Sequence, residues 1–207
     1  APLAGWWGST ETELSTGDVR TLKSFIEWAQ HAYYQYGKHA LILWNHGGGD
    51  RALTPEHERL FSDGTKAICV DEEVASPYDI QYQLYLGEVQ EALLPYYSSS
   101  QKLDFLGLDA CLMGTVEVAY EFRELVEYMS FSPGLEWGSW DYRAIINGLH
   151  AETTAAELAQ RVVTTYRDKS VRVGAAAYNT QTALDLSGME ALKTELDGLA
   201  AAIDADV

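Results

Sequence analysis

The chain of 207 residues sets 31 Asp and Glu against 14 Lys and Arg, a formal net charge of −17. That balance argues against nucleic acid as the partner, because phosphate backbones are held by clustered cations; an acidic surface attracts cationic partners such as basic peptides, though simple solubility is the plainer reading of the charge. Hydrophobic residues make up 47% of the chain, enough for a core without staples, and residues 1–207 read as one domain.

No apolar run approaches the roughly 20 residues that span a bilayer, and no charged n-region with an apolar h-region opens the chain, whose Gly- and Trp-rich start at Ala1 lacks a Met and places any export signal upstream. Asp18 is a plausible cap for a helix from about Val19 to Tyr34, with Leu22, Phe25, Ile26 and Ala29 on one face. Gly37 stops it. Ala40 to Trp44 is a continuous apolar run that suits a strand buried on both faces of a parallel sheet. A long irregular region follows from Gly47 to Gly64, then a short strand within Lys66 to Asp71 and helical spacing from Tyr82 to Tyr97.

The strand-like run from Leu103 leads to Asp109 and Cys111, with helical periodicity from Thr115 to Val126 and a strand at Tyr128 to Phe131. Ser132 to Ser139 reads as a loop. Helices are predicted at Asp141–Gly148 and Thr154–Lys169, strands at Val173–Tyr178 and Thr182–Leu186, and a last amphipathic helix after Ser187 that uses Met189, Leu192, Leu196, Leu199 and Ile203. Strands alternating with helices indicate an α/β fold.

Two apolar runs end in reactive groups, His46 followed by glycines and Cys111 two residues after Asp109. Ligands of parallel sheets bind outside the carboxyl ends of the strands. A thiol there, ahead of a helix, meets unpaired N–H groups that favour a thiolate, and an imidazole beside it completes a nucleophile–base pair. By themselves such residues are as well explained by a buried thiol and an ordinary histidine. Cys69 sits in an unrelated context, makes no disulfide framework with Cys111 and is expected to be inert.

The wording of the two stretches goes further. Leu41-Ile-Leu-Trp-Asn-His-Gly-Gly-Gly49 and Leu103-Asp-Phe-Leu-Gly-Leu-Asp-Ala-Cys-Leu-Met-Gly-Thr-Val-Glu-Val-Ala-Tyr-Glu121 resemble the paired signature blocks of the clostripain family of cysteine peptidases. Supporting matches lie at Thr21–Ala29, Trp140-Asp-Tyr142 and Thr182–Ser187. The resemblance implies a caspase-like three-layer α/β sandwich with a mostly parallel central sheet. It also implies catalysis by His46 and Cys111, oxyanion donors at the N–H groups of Gly47 and Cys111, and Asp109 in an S1 pocket for a basic P1 side chain. Asp109 is also a good helix cap in its own right.

Where the family commonly has a Gly-Asp-Gly-Trp segment, this chain reads Glu136-Trp-Gly-Ser-Trp140, so Glu136 or Asp141 is the candidate second S1 acid. The resemblance further implies cleavage after Arg, then Lys, zymogen processing, a secreted or cell-envelope location and no required cofactor. Arg51, Arg59 and Lys66 are candidate processing sites, with plain surface cations as the other reading. Asp63, Asp71, Glu72, Glu73 and Asp79 offer oxygen ligands to calcium without EF-hand spacing. The first strand of the family domain is expected either on a separate N-terminal segment released from the precursor or in a longer protein of which this chain is a fragment. The other functional reading is a non-catalytic peptide- or carbohydrate-binding module that uses some of the thirteen tyrosines and six tryptophans.

Overall fold

The computed structural model describes residues 14–33, 37–49, 67–69, 83–177 and 179–205. The predicted processing sites and all five calcium-ligand candidates lie outside them.

Among the described residues, four strands form the central sheet in the order β1 (Ala40–Trp44), β4 (Leu103–Asp109), β5 (Val126–Phe131), β6 (Thr182–Asp185). The first two pairings are parallel and the last is antiparallel. A second, two-stranded antiparallel ladder joins β2 (Ala67–Ile68) to β3 (Leu84–Tyr85). The α-helices of the described residues are α1 (Val19–Tyr33), α2 (Leu86–Leu93), α3 (Val116–Phe122), α4 (Tyr142–Asn147), α5 (Ala155–Arg172) and α6 (Met189–Ala205).

The alternation of β4 builds the layers. Leu106, Leu108 and Ala110 point into a core with Leu22 and Ile26 of α1, Val89 of α2 and Phe122 of α3. Phe105 points the other way, into a cluster with Trp140, Ile145 of α4 and Val162 and Tyr166 of α5. Asp109 shares the parity of Phe105. Gly107 lies on the same side, and a Cβ there would fall 2.8 Å from the Trp140 ring. Trp140 is 1% exposed, and losing a side chain of that size from a core costs about 3–5 kcal/mol. The expected three-layer α/β sandwich with a mostly parallel sheet is therefore what the chain forms.

Several predicted elements change at their edges. The helix expected from Tyr82 begins only at Leu86, after β3, and β5 starts at Val126, where the helix of the preceding segment was expected to end. Val173–Tyr178 is not a strand over its described residues. Helix α5 runs on to Arg172 and closes at Gly174, whose φ of +74° permits the N–H groups of Gly174 and Ala175 to reach the carbonyls of Val171 and Ser170. The valines at its end are exposed, Val171 at 62% and Val173 at 67%, so no sheet recruits them.

Candidate active site

The register of β1 against β4 places Trp44 opposite Asp109, and the N–H of Asn45 donates to the Asp109 carbonyl at 3.3 Å. His46 and Cys111 each follow two residues beyond that rung, at the carboxyl ends of adjacent parallel strands. The glycines after His46 press on the cysteine turn. A Cβ at Gly47 would lie 2.5 Å from the Cys111 carbonyl oxygen and 2.8 Å from Met113 Sδ, so no side chain fits there. Gly49, at φ +62°, packs on the Leu112 carbonyl in the same way. Across from this segment, the Gly48 N–H donates to the Ala67 carbonyl and the Cys69 N–H to that of His46, so β2 braces it.

The cysteine turn is a strained elbow. Leu112 holds φ +63°, a region L-residues rarely occupy, and the strain is held by ties to the 132–134 loop: Leu112 N–H to the Gly134 carbonyl at 2.9 Å and Gly114 N–H to that of Ser132 at 2.8 Å. The helix expected to favour a thiolate begins only at Val116, after a Thr115 cap, and is too remote and short to act on the sulfur. The donor at Cys111 Sγ is instead the N–H of Glu136, 3.2 Å away, and the thiol faces the Glu136 carbonyl at 3.7 Å. Among the described residues the N–H groups of Gly47 and Cys111 donate to no protein acceptor.

A cavity of about 370 Å³ opens at this point, lined by Trp44, Asn45, His46, Asp109, Ala110, Cys111, Glu136, Gly138 and Ser139. Two of the three predicted S1 acids line it. Asp109 is 3% exposed, and its Oδ2 accepts from the Trp140 N–H at 3.1 Å and the Tyr142 hydroxyl at 2.5 Å. Burial raises its carboxyl above the ordinary carboxylate value, against those two donors and the charge of Lys169. Glu136 is pushed up to about 8, by burial first and then by the charge of Asp109. Its Oε1 accepts from Trp140 Nε1 at 2.6 Å, while Oε2 is buried with no partner.

Asp141 is not in the cavity. Its carboxylate caps α4 through the Ala144 N–H at 3.1 Å and pairs with Arg172 at 2.6 Å, so its charge is already committed. Sequence reasoning missed Tyr142 as the hydroxyl on Asp109, Trp44 in the cavity lining, and Lys169, whose Nζ donates to the Ser139 carbonyl and holds the cavity loop. Nothing local signals these roles, since the partners of Tyr142 and Lys169 lie 33 and 30 residues away and Trp44 reaches the cavity by pairing opposite the distant Asp109. Cys69 is buried and its thiol is raised to about 12 by burial, which suits the expected inertness.

Against known proteins, the sequence model described as peptidase C11, clostripain family, matches residues 6–206. The chain belongs to the clostripain family. Clostripain of Hathewaya histolytica is 37% identical over 115 residues, which are 56% of this chain and 20% of that protein. An inactive zymogen C11 protease from Parabacteroides distasonis superposes with a TM-score of 0.62 at 20% identity, over 89% of this chain and 44% of the other. A secreted C11 cysteine protease from Bacteroides thetaiotaomicron gives 0.60 at 17%, over 87% and 47%. This clostripain-family chain thus spans less than half the length of each of these three relatives, and the two structures share its fold.

The raised carboxyl of Glu136 makes stability depend on pH. Because its folded value, about 8, lies above the ordinary 4.5, the stabilisation is complete below about pH 4.5 and is lost as pH rises through 8. Glu136→Gln is expected to leave Tm unchanged at pH 4.5 and to raise it at pH 9 by roughly 5–10 °C, the counterpart of about 2–4 kcal/mol after discounting for partial solvent access. Parallel Tm–pH curves for the two proteins would remove the assignment.

Proposed function

We propose that this chain carries the catalytic centre of a cysteine endopeptidase that cleaves after basic P1 residues, Arg before Lys. The observation that carries the reading is the β1–β4 register, which sets the His46 and Cys111 blocks side by side around one cavity that also holds Asp109 and Glu136. In this scheme the Cys111 thiolate attacks the scissile carbonyl carbon, and the free N–H groups of Gly47 and Cys111 receive the oxyanion. His46, as imidazolium, protonates the leaving amine. The thioester is then cleaved by a water that gives its proton to His46, which releases the new carboxylate and restores the thiol.

An entering guanidinium meets Asp109 and takes the place of the proton on Glu136, whose orphaned Oε2 gains a donor. A fork matches two carboxylates better than an ammonium does, hence Arg before Lys. The chemistry so assigned draws on no cofactor. β1 is an edge strand of the described sheet, so a strand from a precursor segment has an edge on which to pair. A secreted or cell-envelope location is our expectation from the family.

A peptide electrophile with Arg at P1 tests the reading. One adduct on Cys111 and none on Cys69 is the expected mass spectrum, with slower labelling by the P1-Lys probe and none by a P1-Ala probe. Labelling indifferent to P1 would sink the specificity. An absence of labelling, together with no hydrolysis of a basic-P1 reporter, would favour the non-catalytic binding module.

A further inference from the structure

A second cleft lies at the other end of the sheet. Lys38, two residues before β1, donates to the Thr153 carbonyl at 2.8 Å, whereas His46 follows the strand, so the β1 path separates the two regions by roughly 25 Å at about 3.3 Å per residue. The cleft, about 230 Å³, is lined by His150, Thr153, Glu157, Gln160, Arg161 and Thr164.

Arg161 is the unusual group. Its Nε is buried with no hydrogen-bond partner, while the side chain as a whole is only partly buried. The guanidinium lies flat against Gly148, where a Cβ would come within 1.8 Å of Nη1, so the glycine is what lets it occupy this seat. Glu157, one helical turn earlier, is the natural i, i+4 partner for Arg161. Its carboxylate is turned instead to the N–H and hydroxyl of Thr154, at 2.8 and 3.0 Å, in the capping box of α5. Those two Thr154 donors hold Glu157 below its ordinary value, with smaller contributions from His150 and Lys38.

The neighbours supply further donors. Thr153 Oγ1 accepts from the His150 N–H at 3.0 Å, which leaves its own hydroxyl hydrogen free to donate, and the Gln160 amide faces the same cleft. A partly buried, fork-shaped cation whose Nε has no partner, in a chain of net charge −17, favours an oxyanion that can supply one.

We propose that this cleft is an oxyanion-binding site in which the Arg161 fork holds a phosphate or carboxylate group, assisted by Thr153 and Gln160. Arg chemistry suits both groups, since each presents two coplanar oxygens to the fork. The site stands apart from Cys111 and does not depend on the peptidase reading.

Titration of the chain with inorganic phosphate, and separately with acetate, at constant ionic strength tests it through amide chemical shifts. Saturable shifts confined to residues 148–164 are expected for at least one anion. Saturation by phosphate alone assigns the ligand as a phosphate group, and saturation by acetate alone assigns it as a carboxylate. Arg161→Gln is expected to weaken binding at least tenfold while Tm and labelling at Cys111 stay as they were. Gly148→Ala, whose methyl takes the guanidinium's seat, is expected to do the same at a residue whose φ of −100° any side chain tolerates. Failure of both anions to saturate, or parental affinity in either folded variant, overturns the proposal.

Discussion

Cys111→Ala is expected to lower kcat/KM on a basic-P1 peptide by about 10⁴-fold or more, a loss carried by kcat, because the nucleophile acts in the chemical step and the rest of the cavity still binds substrate. The fold should tolerate the change. Cys111 is half-buried, and its sulfur meets the Glu136 backbone, which water satisfies once the thiol is gone. His46→Ala is expected to follow closely, since nucleophile and base act as a unit and their losses do not add. Cys69→Ala serves as the comparison and should retain activity, as its thiol is buried and raised to about 12. Equal losses at Cys69 and Cys111 would mean that folding, not nucleophilicity, was being measured.

Asp109→Asn is expected to cut kcat/KM for P1-Arg substrates by about 10²- to 10³-fold, the effect of removing one partner of a desolvated charge pair, while a P1-Ala substrate changes little. Asn keeps an oxygen to accept from the Trp140 N–H and the Tyr142 hydroxyl, so the cavity wall should survive. KM should rise with the loss, because the pair forms in the ground state as well as in the transition state. An Arg substrate cut by the Asn variant at the parental rate would show that Asp109 serves structure and that the basic preference, if found, resides in Glu136.

The legible part of this site was its chemistry. The continuous apolar runs of β1 and β4, each ending in a reactive residue, follow from local composition, and the two blocks carry the family resemblance. The acids were less legible. Asp109 is singled out by its place in the cysteine block, but for the second acid sequence offers no ground to choose between Glu136 and Asp141. Strand parity turns Asp109 towards Trp140, Arg172 captures Asp141 from the end of α5, and Glu136 is left with one orphaned oxygen in the cavity.

The helices show the same division. The periodicity of α6 is real, yet Leu192, Leu196, Leu199 and Ile203 are 42–58% exposed, and only Met189 at its start is buried. A hydrophobic pattern specifies that a face exists, not what covers it. In the Val173–Tyr178 segment, β-propensity lost to a helix that already had its stop in Gly174.

By itself the sequence determined most of the helical and strand periods, the caps at Asp18 and Thr154, and the two blocks that end in His46 and Cys111. These depend on interactions within a few residues of one another, or on residue identity alone. Only the tertiary structure decided that Trp44 lies opposite Asp109, that the sulfur takes its hydrogen bond from Glu136 in place of a helix end, and that Asp141 is spent outside the cavity. Those outcomes depend on pairing between segments 25 to 65 positions apart, where chain order constrains nothing until the sheet has chosen its register.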